Sequence, residues 1–216
     1  MRASSLLLST LLATATLSAP LLAPTVALAA TAEEATSYVT RIGNDTLATL
    51  NDASLNPAAV KSKLEALFNK EVDVDWVSKF VMGRSWRDLT PAQQTQYQKI
   101  YRQFLIEHYT SNFVEYTKGT TFKVTRAVAM PRDEQQVGMD IVRPGQAPVK
   151  AEYRIRGTGA DLKIVDIAVE GVSLTTTQRQ EFASVMQRYG FDYLIQQLQA
   201  RLSAEQAKTQ NVTAAK

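Results

Sequence analysis

From Thr90 to Tyr116 the apolar and aromatic positions return every third or fourth residue: Tyr97, Ile100, Tyr101, Phe104, Leu105, His108, Tyr109, Asn112, Phe113 and Tyr116. That spacing predicts one broad stripe on a helix of about 26 residues, roughly 39 Å long at 1.5 Å per residue. Thr90-Pro91-Ala92-Gln93 marks its start. Thr90 can cap a free backbone N–H, Pro91 already has helical φ, and Gln93 can reach back to complete a capping box. Upstream, Tyr38, Val39, Ile42, Leu47 and Leu50 give a helical period across residues 33–50. Asn56-Pro57 starts a second helix with Val60, Leu64, Leu67 and Phe68 on one face. A short third helix is expected from about Asp73 to Met82, with Trp76, Val77, Phe80 and Val81 inward and Gly83 ending it.

After Lys118-Gly119 the period changes to alternation. Phe122, Val124, Arg126, Val128 and Met130 form one strand, and Val137, Met139 and Ile141 a second. Val149, Ala151, Tyr153 and Ile155 form a third, and Leu162 to Val169 a fourth. Pro131-Arg132-Asp133, Pro144-Gly145 and Gly157-Thr158-Gly159 supply the turns. Four strands with short connections make an antiparallel meander with one face buried and one wet, Lys123, Arg154 and Arg156 fitting the wet side. The fourth is apolar on both parities, as a strand covered on both sides would be. Helix returns near Thr175, with a face at Phe182, Val185, Met186 and Tyr189 ending at Gly190, then another at Leu194, Ile195, Leu198 and Leu202. Residues 203–216 are small and polar and are expected to be disordered. The class is α+β: N-terminal helices, a four-stranded antiparallel meander sheet, and C-terminal helices.

Composition changes this picture at the N-terminus. Arg2, the apolar stretch from Leu6 to Leu22, and Ala27-Leu28-Ala29 read as a cleaved signal peptide over residues 1–29. The uninterrupted apolar run is too short for a bilayer span of ~20 residues, and no cysteine is present for a lipid anchor. Residues 30–202 then form a single domain. Loss of Arg2 leaves 23 basic against 21 acidic residues, a balance that does not point to nucleic acid. With no cysteine and one histidine, thiol chemistry and two-histidine metal sites are unavailable, so no cofactor or metal is expected. His108 and Asp166 are the only acid–base candidates, and no G-x-S-x-G elbow occurs. No heptad seam argues for assembly, and a monomer is expected.

Nine of the seventeen aromatic residues lie between Trp76 and Tyr116. On pattern alone the stripe either fills the concave face of the sheet or stands off from it and encloses an apolar pocket. An amphipathic stripe is usually core, but a generous apolar supply and the adaptable side chains of Met130 and Met139 push toward the pocket.

Phe80-Val81-Met82-Gly83-Arg84-Ser85-Trp86-Arg87 followed by Leu89-Thr90-Pro91-Ala92-Gln93-Gln94, and later Val165-Asp166-Ile167-Ala168-Val169-Glu170-Gly171-Val172-Ser173-Leu174, resemble the MlaC family of periplasmic phospholipid-binding proteins, also known as toluene-tolerance proteins. Thr176, Thr177, Gln178, Arg179 and Phe182 continue the match, and the similarity spans nearly the whole mature chain. The resemblance implies a cystatin-like (nuclear-transport-factor-like) cone whose cavity holds acyl chains. It also implies a soluble periplasmic shuttle that maintains outer-membrane asymmetry. Implied partners are phospholipid, an inner-membrane ABC transporter with an MCE-domain protein, and an outer-membrane lipoprotein complex. Hopanoid-associated relatives share the pattern, so a hopanoid is an alternative cargo; an envelope chaperone or adaptor is a second alternative. Periodicity and the family fold together place Val77, Phe80, Val81, Trp86, Tyr97, Tyr101, Phe104, Leu105, Met139, Ile141, Tyr153, Ile155, Val169 and Val172 in the pocket wall, with Tyr109 onward as packing. Gly171 is expected to allow a bend, Glu170 to be structural, and Ser173 or Thr175 to cap the next helix.

Overall fold

The structure, a computed structural model, describes residues 30–112 and 118–214. The proposed leader, and Phe113 and Tyr116 at the end of the aromatic stripe, lie outside the described residues. Among the described residues four helices come first: α1 (Ala32–Asn51), α2 (Pro57–Glu71), α3 (Val74–Met82) and, after a 3-10 turn at Gly83–Arg87, α4 (Pro91–Asn112). Their starts are set locally. Asn56 accepts the Ala59 N–H at 2.9 Å ahead of Pro57, and Asp73 accepts the Trp76 N–H at 3.0 Å. Thr90 and Gln93 form the expected capping box, with Thr90 N–H donating to Gln93 Oε1 at 2.9 Å. Gly83 leaves α3 with φ +62°, a conformation that costs glycine little.

The sheet is a sequential antiparallel meander of β1 (Thr121–Met130), β2 (Glu134–Val142), β3 (Val149–Arg156), β4 (Lys163–Val169) and β5 (Val172–Ser173). It therefore has five strands where four are expected from alternation. The fifth is two residues long, too short for a periodic signal, and folds back through Glu170 and Gly171, both at positive φ (+49° and +79°). Glu170 is tied structurally, its carboxylate accepting the Lys150 N–H at 2.7 Å. Register shifts lie in the first and third ladders, between Val124 and Ala127 and between Arg154 and Ile155. The first turns Ala127 toward the core and leaves Val128, which shares its alternation with Phe122 and Val124, 43% exposed.

α5 (Leu174–Ala214) starts at Ser173, whose Oγ accepts the Thr176 N–H at 3.1 Å. Gly190, at φ +79° and ψ −176°, breaks it into the two helical stretches the pattern predicts. The helix continues through residue 214, where a disordered tail is expected from residue 203. Leu202 packs on the core and Glu205 meets His108 Nδ1 at 2.8 Å, which gives this stretch tertiary partners.

The aromatic stripe of α4 is consumed between helices. Tyr97, Tyr101, Phe104 and Leu105 pack with Val77, Val81 and Met82 of α3 and with Phe182, Leu194, Ile195 and Leu198 of α5. Tyr97 and Tyr101 are fully buried and stacked at 5.3 Å, with Phe182 edge-on to both at 6.3 and 5.7 Å. Tyr97 Oη donates to Ser78 O at 3.0 Å and Tyr101 Oη to Gln178 Oε1 at 2.5 Å. Tyr97→Phe keeps the packing and deletes one buried donor, so it should cost about 1 kcal/mol. For a domain of this size that lowers the thermal midpoint by roughly 2–4 °C, measurable by calorimetry.

Candidate functional site

A second apolar layer lies on the other side of the sheet. Ala35, Tyr38, Val39 and Ile42 of α1 face Val137 and Met139 of β2, Ile155 of β3 and Ile164 of β4. The pleat explains the selection: Tyr153 and Ile155 point to α1, whereas Arg154 and Arg156 point the opposite way. That opposite side is not simply wet. Glu134, only 5% exposed, pairs with Arg154 at 3.2 Å and with Arg156, and the Arg156 guanidinium lies 4.1 Å from the Trp76 ring centre. β4 is covered on both faces. Ile164 and Ile167 face α1, while Asp166 pairs across the ladder with Arg154 and accepts the Thr175 N–H at 3.1 Å at the start of α5.

The helices and the sheet are tied at one end. Gln135 Nε2 donates to Ala30 O at 2.8 Å, Asp73 N–H to Ile164 O at 3.0 Å, and Tyr38 Oη to Glu71 O at 3.1 Å. Arg41 grips the buried Glu71 carboxylate with both arms, at 3.0 and 2.9 Å. Away from this end burial decays. Along α1 it falls from buried Ala35 and Val39 to half-buried Thr46, Leu47 and Leu50; along β2 it falls from buried Val137 and Met139 through Ile141 to exposed Val142. Between the diverging walls lies a cavity of about 360 Å³, within the ~300–1,000 Å³ usual for ligand pockets.

Its lining is chiefly apolar: Val39, Ile42, Leu47 and Leu50 from α1, Leu64, Leu67 and Phe68 from α2, Phe122, Met139, Ile141, Tyr153, Ile164 and Ile167 from the sheet, and Tyr109 from α4. Burial pushes the Tyr153 phenol up and raises that of Tyr109 to about 12, the charge of Asp166 adding to the latter, so both stay neutral at ordinary pH. Gly43 lets the sheet approach α1: a Cβ there would stand 2.5 Å from the Phe122 ring. Arg143 and Thr46, Thr120 and Thr121 complete the polar part of the wall with Glu71.

Of the expected wall residues, Met139, Ile141 and Tyr153 line this cavity. Val77, Val81, Tyr97, Tyr101, Phe104 and Leu105 are instead buried in the interhelical core, with Phe80 and Trp86 packed against its edge. α5, and not the sheet, covers the aromatic face of α4. Ile155 is buried between α1 and the sheet without bordering the cavity. Val169 sits in the β4–β5 hairpin and Val172 is 56% exposed beside it. Tyr109, expected as packing, borders the cavity. The α1 and α2 stripes are legible as helical faces, but nothing in their period distinguishes wall from core. The available signal is Gly43 and Thr46 within the inward face of α1, where a helix filling a core would carry bulk.

The two candidate acid–base groups have separate local duties. Asp166 accepts Ser173 Oγ at 2.6 Å as well as the Thr175 N–H, and His108 meets Glu205 and stacks on Phe104 at 5.5 Å.

Fold and site define an α+β protein with an apolar cavity held between a helical layer and a meander sheet and opening at one end. The chain belongs to the MlaC family: residues 40–200 match the family's sequence profile, described as MlaC protein. It is 30% identical over 139 residues to toluene tolerance protein ttg2D of Pseudomonas putida, across 63% of this chain and 64% of that protein. The match thus spans just under two thirds of that relative's length. A phospholipid-binding protein from Ralstonia solanacearum, solved in complex with a phospholipid, has the same fold with a TM-score of 0.68 at 26% identity, over 79% of this chain and 98% of that one.

Two predictions follow from the walls. Burial alone pushes the Glu71 carboxyl up; the hydrogen bonds and charge of Arg41, with Tyr38 and Lys70 adding, outweigh it and hold the group below its ordinary value of 4.5. A carboxyl depressed on folding contributes stability that is full above about pH 4.5 and is lost as pH falls through the lower folded value. Arg41→Met removes the opposing charge and leaves burial to act. Acid unfolding followed by circular dichroism should then begin at higher pH, with about 1–3 kcal/mol lost near neutrality. Gly43→Ala sets about 1 kcal/mol of helix propensity against about 1–3 kcal/mol of overpacking at Phe122. The net cost should be about 0–2 kcal/mol, and uptake of an apolar fluorescent probe should fall as the ring is driven into the cavity.

Proposed function

We propose that this protein is a lipid carrier that shelters phospholipid acyl chains between α1, α2 and the sheet while the lipid crosses water. The observation that carries the reading is the one-ended apolar cavity, and the Ralstonia solanacearum relative solved with a phospholipid supports it. Exposing a lipid to water costs ~0.8 kcal/mol per methylene, or roughly 12 kcal/mol for one long chain. A cavity that covers most of this surface lowers the barrier to transfer, and its open end lets the chain leave again. The work requires no catalytic group, metal or cofactor. With the leader at residues 1–29, the reading places the protein in the periplasm as a monomeric shuttle between the outer and inner membranes, sustaining outer-membrane lipid asymmetry. Its partners there are an inner-membrane ABC transporter with an MCE-domain protein and an outer-membrane lipoprotein complex.

Native mass spectrometry with lipid extraction, on protein purified from cells, tests the reading. Stoichiometric phospholipid is expected, and a protein that is empty and takes up no lipid from vesicles would refute it. Leu47→Trp, filling the half-buried part of the wall, should lower occupancy several-fold while the far-ultraviolet spectrum stays that of the folded protein.

A further inference from the structure

Arg143 is out of place in this cavity. It is the only cation among the described residues that line it, in a wall that, Glu71 apart, is apolar, aromatic or hydroxylic. The other charged lining group, Glu71, is already held by Arg41 and Lys70. Arg143 forms no ion pair among the described residues, and its Nε is shielded from solvent with no acceptor. Buried donors are almost always satisfied, because leaving one unpaired forfeits its hydration without return. An orphaned guanidinium nitrogen at a cavity wall therefore marks a place where something else supplies the acceptor.

The position fits an anion at the mouth. Arg143 directly follows Val142, the exposed last residue of β2, at the end where both walls lose burial. Its backbone is held: Arg143 O accepts the Gln146 N–H at 3.1 Å, and Pro144 packs so closely on Gly119 that a Cβ there would come within 3.2 Å. A planar fork on a fixed backbone beside an apolar cavity suits an amphiphile whose chains lie inside and whose oxyanion sits at the rim.

We infer that Arg143 binds the phosphodiester of the cargo lipid and makes the cavity select phosphate-bearing lipids over neutral ones with the same apolar bulk. This rests on the carrier reading above and sharpens it, because a neutral hopanoid would leave the guanidinium charge uncompensated. The test loads emptied full-length mature protein from vesicles containing phosphatidylglycerol or diacylglycerol of identical chains, and reads bound lipid by mass spectrometry. The wild type should prefer phosphatidylglycerol, and Arg143→Met, which keeps the apolar stem, should cut that preference roughly tenfold, the worth of one charge-assisted hydrogen bond. The thermal midpoint of the empty Met variant should match or exceed that of the wild type, since an unsatisfied donor has been removed.

A wild type that takes up diacylglycerol as readily as phosphatidylglycerol overturns the inference without any variant. So does an unchanged preference in Arg143→Met, or a lowered midpoint in the empty variant, which would make Arg143 structural. Inorganic phosphate in excess should not displace phosphatidylglycerol; if it binds at Arg143 in the empty protein and displaces the lipid, the residue is a free-anion site and the assignment to the headgroup fails. Uptake of neither lipid by the wild type would instead refute the carrier reading itself.

Discussion

The architecture depends on a fastening at the junction of α2, α3 and β4. Glu71 receives α1 through Arg41 and Tyr38, and two residues later the Asp73 N–H joins Ile164 of β4. Within three residues the chain thus links the first helix, the second helix and the sheet. The bonds involved are an ion pair on a buried carboxylate, a tyrosine hydroxyl on a backbone carbonyl and a backbone bond, and losing a partner of the buried groups is expensive. Beyond them, no hydrogen bond or ion pair joins α1 to β2 among the described residues, and the two meet through apolar side chains. A wedge results, closed where polar bonds fix it and open where only side-chain volume decides the separation.

Two apolar faces compete for partners in this chain, and their allocation decides where the cavity lies. The ring-rich face of α4 finds a long, kinked partner in α5, and stacked and edge-on contacts among Tyr97, Tyr101 and Phe182 close that layer. The plainer face of α1 is left to the sheet, with the Phe122 ring seated on Gly43 and only the short side chain of Thr46 beside it at the cavity wall. The richer stripe makes the core and the poorer stripe makes the wall. Close packing follows from complementary volume, not from the amount of apolar surface on one side.

Local signals in the sequence carried most of the fold. The caps at Asn56 and Thr90, the break at Gly190, and the alternation of β2 and β3 all correspond to observed elements, because each is decided by residues within a few positions of one another. The two-residue β5 and the irregularity in β1 escaped, the first for want of a period and the second because a bulge reverses parity without changing composition. The site was less legible. Met139, Ile141 and Tyr153 border the cavity as their alternation predicts, because strand parity fixes their face. The helical aromatics lie in the interhelical core and not along the cavity, because a 3.6-residue period shows that a face is buried and says nothing of what buries it. Arg143 gave no signal either, since an arginine beside Pro144-Gly145 reads as ordinary turn surface until its missing partner is seen.

The wedge also bears on how a cavity of this size can admit a bulky cargo. At about 360 Å³ it sits near the lower end for ligand pockets, so a larger guest requires the walls to separate. Separation at the fastened end would break the Arg41–Glu71 pair and the Asp73–Ile164 bond together. At the open end it disturbs contacts such as Phe122 on Gly43, which are apolar and are replaced by equally apolar contacts with the guest. Widening is therefore cheapest where the mouth already lies, and the exchanged contacts are close to neutral in free energy. The same asymmetry that leaves α1 poorly matched to the sheet thus confines adaptation to one end, with Arg143 on the rim and the polar fastening undisturbed.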